Sequence, residues 1–453
     1  MSAINQYLTT HAERFEEELC EFLRIPSISA DPSRAADMVR AADWLTDQFR
    51  RLRFVAELIP TAGPPLVYAE SPNVPGAPTA LVYGHYDVQP PDPLGAWVTP
   101  PFEPTRRDGN LYARGATDDK GQLFTHVKGA EAWITVEGRL PINLKFLIEG
   151  EEEVSSGGLE RFLVEHADRL ACQCVVISDS SQFAPGVPAI TYGLRGIAYY
   201  ELHVTGPRQD LHSGVFGGAV MNPANALTQI LSGLIDRQGR VTIPEFYDDV
   251  LELSAKERDG LASLPFDEKQ FFDQIGVPCG AGEAGFTAIE RRWVRPTFDI
   301  NGLWGGYQGE GSKTVLPAMA GAKFSFRLVP HQDPVKIKAG LERRIAELCP
   351  PSVRWRLIYH HGAPAVLTSP DSPQIEAASR AIDYAFGRRP VLIRDGGSIP
   401  IVTEFQQRLG APALLLGWGQ EDDGAHGPNE KFCLADFHRG IQASARLWEE
   451  LRK

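Results

Sequence analysis

Ile142-Asn-Leu-Lys-Phe-Leu-Ile-Glu149-Gly-Glu-Glu-Glu153 is the stretch that decides the fold class. An apolar run passes straight into four carboxylates. Surface acidic runs usually occur in exposed helices, not at the end of such a segment. Adjacent like charges repel, and a cation relieves that repulsion. Two more apolar runs break in the same manner. Thr79-Ala-Leu-Val-Tyr-Gly-His85-Tyr-Asp87-Val88 breaks at a histidine and an aspartate, and Val175–Ile177 runs into Ser178-Asp179. Ala413–Leu416 precedes a Gly-rich loop with His426. Apolar strands alternating with helices indicate an α/β fold with a mostly parallel sheet covered on both faces. Enzymes of this class present ligands where such strands end.

Outward from these strands, the spacing predicts amphipathic helices over 3–24, stopped by Ile25-Pro26, and over 35–53. A further helix is expected from Asp118 to Val136. The pattern changes near Gly193. Segments 198–205, 322–329 and 353–359 alternate, as half-exposed antiparallel strands do, with helices near 222–236 and 333–347 between them. After Pro364 the α/β style returns, with helices at 371–386, 398–409 and 434–452. The expected organisation is a catalytic metal-binding domain in two parts, 1–193 and 364–453, with an α+β domain inserted at 194–363. Residues 244–296 are harder to place and are expected to hold helices, loops and part of the inserted domain.

A chain of 453 residues exceeds one ordinary core, which agrees with two domains. Its 45 basic and 58 acidic residues give a net charge of -13, which argues against nucleic acid and anionic membranes as partners. No run of 18 apolar residues predicts a membrane span, and the first residues read as a helical stripe rather than a signal peptide. The six cysteines include no C-x-x-C pair. Thiols this sparse suit a reducing compartment, so a cytoplasmic protein is expected.

The candidate site is built from five stations. In His85-Tyr-Asp87 the side chains at i and i+2 share a face. Asp87 can accept from one ring nitrogen of His85 and leave the other for a metal. By itself such a triplet is also an ordinary strand end. Asp118, in the turn Gly115-Ala-Thr-Asp-Asp-Lys-Gly121, reads either as a helix N-cap or as a carboxylate bridging two ions. Glu152 and Glu153 come from the acidic cluster. Asp179 reads as a turn residue or a ligand. His426 reads as polar loop filler or as part of a site loop. Histidine and carboxylate ligands without cysteine suit zinc or manganese. The carboxylates exceed what one open zinc site needs and fit two ions sharing a ligand, which usually perform hydrolysis.

Taken together, Gly84-His-Tyr-Asp-Val-Gln-Pro, Arg114-Gly-Ala-Thr-Asp-Asp-Lys-Gly, Glu149-Gly-Glu-Glu-Glu, Ile177-Ser-Asp, Tyr192-Gly-Leu-Arg-Gly, Asp210-Leu-His-Ser-Gly-Val-Phe-Gly-Gly, Gly396-Gly-Ser-Ile-Pro and Gly424-Ala-His-Gly-Pro-Asn-Glu resemble a known family. It is the dinuclear zinc metallopeptidases of carnosinase and cytosolic non-specific dipeptidase, with aminoacylase and carboxypeptidase G as wider relatives. The resemblance spans nearly the whole chain and lies nearest the dipeptidase branch. It implies that His85, Glu153, Asp179 and His426 are ligands to two divalent ions per subunit, with Asp118 bridging. Zinc is the first expectation, with manganese or cobalt as alternatives. Glu152 then acts as general base on a metal-bridging water, and Asp87 orients His85. His212, Thr314 and Arg327 match substrate-binding positions. Gly397 and Ser398 fall in the loop expected to hold the substrate's C-terminal carboxylate. The inserted domain is expected to serve as a lid and to form a homodimer in which His212 reaches the partner's site. Two positions depart from the family pattern: Ser155 stands where Gly is common, and Asp395 replaces a Glu.

The expected activity is hydrolysis of the peptide bond of dipeptides or similar short peptides with a free C-terminal carboxylate. An N-acyl-amino-acid deacylase or a carboxypeptidase of the same chemistry is the alternative. A non-catalytic binding protein that kept the fold is a third reading, but it would have lost Glu152 or His426, and both are present.

Overall fold

The computed structural model describes residues 1–154 and 156–453, so Ser155 lies outside the described residues. The chain divides into two compact units. The first contains Met1–Tyr192, Thr368–Ile393 and Glu404–Lys453, and the second Gly193–Leu367 and Arg394–Thr403. The segment Arg394–Thr403, which holds Gly397 and Ser398, thus groups with the second unit although the return of α/β patterning at Pro364 assigned it to the first.

In the first unit the strands lie in the order Val55–Ile59, Leu66–Glu70, Asn143–Glu149, Thr79–His85, Cys174–Ile177, Ala413–Gly417 and Ala189–Leu194. The central four are mutually parallel, and antiparallel strands flank them. Ala80–Tyr83, Leu144, Phe146–Ile148 and Val175–Ile177 are all buried. Burial on both faces is why these strands read as near-continuous apolar runs rather than alternating ones. Register puts His85 opposite Glu149, Tyr83 opposite Ile177 and Ile177 opposite Leu415. The carboxyl ends of all four strands therefore lie along one edge.

The covering helices follow the same economy. Lys120–Glu137 is buried along every residue from Lys120 to Ala132, and it packs against Leu434–Glu450. A helix enclosed on all sides shows no amphipathic stripe. Ala35–Arg51 covers the edge strands, where Phe49 meets Phe146 with ring centroids 4.7 Å apart. The first expected helix is two, Ser2–Thr10 and Ala12–Leu23, joined at His11. A short antiparallel sheet of Thr105–Arg107, Asn110–Tyr112 and Lys431–Cys433 also belongs to this unit. No helix among the described residues is long and apolar enough to cross a membrane.

The second unit is an antiparallel sheet in the order Thr297–Gly305, Met319–Leu328, Gly196–Thr205 and Arg354–Ala363. Burial alternates along Gly196–Thr205. Its inward residues Ala198, Tyr200, Leu202 and Val204 share a core with Phe324, Phe326 and residues of the helices Pro223–Ser232 and Pro334–Leu348. The region 244–296 contains three short helices, Ala255–Ala262, Glu268–Gln274 and Ala288–Trp293. The chain enters this unit at Gly193-Leu194 and first leaves it at Val366-Leu367, which are antiparallel neighbours, before returning for Arg394–Thr403.

Candidate metal centre

The first unit's aligned strand ends gather the histidines and carboxylates. His85 is the last residue of its strand and is fully buried. Its Nδ1 lies 3.1 Å from the Asp87 carbonyl and 3.3 Å from Asp87 Oδ1. That contact directs Nε2 the other way, to 3.1 Å from Asp118 Oδ1 and 4.0 Å from Asp179 Oδ2. Despite the short distance, Nε2 has no hydrogen-bond partner of acceptable geometry among the described residues. A buried imidazole nitrogen so placed, with its other nitrogen held, is a metal ligand in form.

Asp118 uses its two oxygens separately. Oδ1 faces His85, whereas Oδ2 lies 2.9 Å from His426 Nε2. His426 Nε2 is also 3.3 Å from Glu153 Oε2. Two ligand groups result, His85–Asp118–Asp179 and Asp118–Glu153–His426, each with its donor atoms within 4.8 Å of one another. Asp118 is common to both. It is not the N-cap of the following helix: that position is Asp119, and neither caps through its side chain. Asp119 Oδ2 instead accepts from the His85 N–H at 3.2 Å. Gly84 permits this approach, since a Cβ there would stand 2.6 Å from Asp119 Oδ2.

Asp87 joins the two groups from behind, because Oδ2 accepts from the Glu153 N–H at 3.2 Å while Oδ1 faces His85. Gln89 Nε2 donates to Glu153 Oε2 at 2.8 Å. Among the described residues the Glu152 carboxylate has no hydrogen bond or ion pair, so its lone pairs are free to accept a proton. Burial raises its affinity for one, as do the charges of Glu153, Asp118 and Asp87, against the opposing effect of His85. His426 takes up φ +63°, a left-handed conformation that a non-glycine residue rarely adopts and that clusters at functional sites.

Electrostatics show an excess of negative charge. Burial, then the charge of Asp118, pushes Asp179 up to about 7. Burial would raise Asp118 as well, but His426 and His85 outweigh it and hold that carboxyl below its ordinary value. Burial lowers the proton affinity of His85, yet Asp118 and Asp87 raise it well above the usual imidazole value. Hydrogen bonds to Asp118 and Glu153 raise His426 to about 10. Protons thus occupy places that a cation would take over, since ligands must lose them on metal binding. The donor set fits a pair of oxygen- and nitrogen-seeking divalent ions.

The remaining expected site residues all lie in the second unit. His212 ends the short strand Leu211–His212, which pairs with Val315–Leu316, and Ser213 N–H donates to Thr314 O at 3.0 Å. This sets His212 beside Thr314, both exposed. His212 Nδ1 accepts from the Gly214 N–H at 3.0 Å. Arg327 Nη1 donates to Ser398 Oγ at 2.9 Å. Asp395 Oδ1 accepts from the Gly397 N–H at 2.7 Å, so the shorter side chain at this position closes the turn of the loop. Gly396 has no room for a side chain: a Cβ would lie 2.8 Å from Arg292 O and 2.9 Å from Arg195 Nη2.

The family model for peptidases M20/M25/M40 matches residues 81–450, from the His85 strand to the final helix. The chain belongs to this peptidase family. A Cys-Gly metallodipeptidase of Schizosaccharomyces pombe is 33% identical, over 97% of this chain and 96% of its own. The crystal structure of human carnosine dipeptidase 1 is 32% identical, with a TM-score of 0.79, covering 99% of this chain and 98% of that one. A metallo-carboxypeptidase of the M20 family from Sulfolobus solfataricus is 33% identical, with a TM-score of 0.83, covering 97% and 99%. As an M20 metallopeptidase the chain is an enzyme that works with metal ions.

Within this M20 centre, reading the residues in order missed Asp119, Gln89 and Glu430. Asp119 had a usable signal, since two adjacent acids at one turn cannot both serve a cap. Gln89 and Glu430 stand inside the quoted motifs, but nothing beside them in the chain shows what they contact. Their partners lie 64 and up to 316 positions away.

Proposed function

We propose that this M20 peptidase hydrolyses dipeptides, or similarly short peptides, that carry a free C-terminal carboxylate. The observation that carries the reading is the pair of ligand groups sharing the two oxygens of Asp118. His85 and Asp179 would hold one ion and Glu153 and His426 the other, with zinc preferred over manganese or cobalt. Bound there, two divalent ions polarise a carbonyl and lower the pKa of water. Glu152 takes the proton from the attacking water and returns it to the leaving amine. Asp87 keeps Nε2 of His85 available by holding Nδ1. Arg327, aligned by Ser398, pairs with the substrate carboxylate in fork geometry. The free state of all six cysteines supports a cytoplasmic setting.

The relatives' names supply the test substrates. Metal-reconstituted enzyme is to be assayed side by side on Cys-Gly, β-Ala-His, tripeptides and N-acetyl amino acids. Dipeptides are expected to give the highest kcat/KM. The carboxypeptidase neighbour supports a second reading, under which longer or N-acylated substrates with a free carboxylate match or exceed the dipeptides. Arg327→Met should cost about 1.5–3 kcal/mol of carboxylate recognition, on the order of 10- to 100-fold in kcat/KM. Dipeptide amides, which lack the carboxylate, should be cleaved equally by parent and variant. An unchanged kcat/KM on free dipeptides would remove Arg327 from substrate binding.

We also infer a homodimer through the second unit. His212 is exposed, and so are the apolar Val215 and Phe216 just beyond it, at 69% and 40%. In the dimer His212 would complete the partner's site and donate to the developing oxyanion. His212→Ala should lower kcat more than it raises KM. Mixing it with Glu152→Gln should restore part of the activity, because half of the sites in mixed dimers carry neither defect. No recovery, with subunit exchange demonstrated, would confine His212 to its own chain.

A further inference from the structure

Glu430 lies four residues beyond His426 and is fully buried. Its Oε2 accepts from the Gly115 N–H and from Arg114 Nη1, both at 2.8 Å. Oε1 accepts from the N–H groups of Thr117 at 2.9 Å and Asp118 at 3.1 Å. Its backbone carbonyl accepts from the Ala113 N–H at 3.1 Å. Arg114 in turn donates through Nη2 to Gly427 O at 3.0 Å. Lys431–Cys433, the next residues, pair with Asn110–Tyr112, so the short sheet fixes Glu430 beneath the turn that presents Asp118.

A fold-supporting ion pair is the plainer account of a buried Glu–Arg contact. Three features weigh against it. Buried pairs seldom add net stability over well-packed apolar residues. This one puts a second carboxylate against the backbone of Asp118, where like charges oppose each other. Three of its four donors are backbone N–H groups of the Asp118 turn, one of them Asp118's own. Such a contact sets the peptide plane from which the Asp118 side chain departs, and so where its two oxygens point. The same carboxylate ties the turn to the loop bearing His426, through Arg114 and Gly427.

We propose that Glu430 is a positioning residue for the metal pair: by holding the Asp118 turn and the His426 loop together, it fixes the shared carboxylate between the two ligand groups. The proposal rests on the reading of Asp118 as a ligand common to both ions. Glutamine keeps the size of Glu430 but has one acceptor oxygen, so it cannot serve both halves of the turn. The full chain is stripped of metal and titrated with Co²⁺ against a chelator, with the cobalt absorption spectrum recorded at each step. E430Q is expected to weaken both ions together, by about 10- to 100-fold, and to alter the spectrum of the doubly loaded protein. D179N, measured alongside, should weaken mainly one. If E430Q does not fold, E430D carries the comparison. It keeps the charge one methylene shorter, and a smaller joint loss is expected. A folded E430Q or E430D that binds both ions within twofold of the parent overturns the proposal, as does a loss confined to one ion. D118A run in parallel separates the two levels. If it spares one ion, the shared-ligand reading itself fails. If it weakens both while the Glu430 variants weaken neither, only the role of Glu430 fails.

Discussion

Asp118→Ala is expected to strip both ions and abolish turnover. Its two oxygens lie 3.1 Å from His85 Nε2 and 2.9 Å from His426 Nε2, in different ligand groups. Loss of an outer hydrogen-bond partner typically costs about 10- to 100-fold in metal affinity, and loss of a ligand common to two ions should exceed that for each. Metal analysis after gel filtration would check it, with the parent retaining two ions per chain and the variant neither. One ion retained at full occupancy would show that the carboxylate serves a single site. The variant should still fold. Removing one of several crowded carboxylates relieves the repulsion that adds to burial in pushing Asp179 up to about 7.

Glu152→Gln should behave in the opposite way, keeping both ions and losing the chemistry. Glutamine matches glutamate in shape but cannot take a proton. General-base loss costs about 10²–10⁴ in rate, and the fall should appear in kcat with KM little changed. Glu153→Gln is the companion. Glu153 Oε2 sits 3.3 Å from His426 Nε2 and accepts from Gln89, so its variant should lose metal as well as activity. A Glu152→Gln protein that emptied the site while Glu153→Gln stayed loaded would exchange the two roles.

Much of this was legible from local pattern. The central strands announce themselves because both their faces are buried, leaving Val175–Ile177 and Phe146–Ile148 no polar alternation to hide in. Their polar endings are then conspicuous. The strand Thr297–Gly305 was not legible, since it is a largely exposed sheet edge with a register shift between Ile300 and Gly302. Nor was the break at His11, because the apolar stripe with Ile4 and Phe15 buried continues across it. Local propensity favoured an aspartate cap at the helix after Gly115. Tertiary demand overrode it: Asp118 turns to the histidines, and Asp119 to the His85 backbone. Glu430 shows the limit most clearly. It closes the motif Gly424–Glu430, but with donors more than three hundred positions earlier its partners cannot be read from that neighbourhood.

The entry and exit of the second unit carry an evolutionary consequence. Leu194 and Val366 are partners in one antiparallel ladder, so the two ends of the insertion stand about 5 Å apart, the spacing of neighbouring strands. To the rest of the chain, everything between them is a hairpin loop that grew. The entropy of closing a loop rises only logarithmically, by about 0.6 kcal/mol for each doubling of length. A whole folding unit could therefore be acquired, enlarged or exchanged at this ladder at little cost to the domain that hosts it, and excision would leave a gap that a two-residue turn can span. The ladder is a modular joint, at which new recognition surfaces can be grafted without interrupting the parallel strands that end at the candidate metal centre.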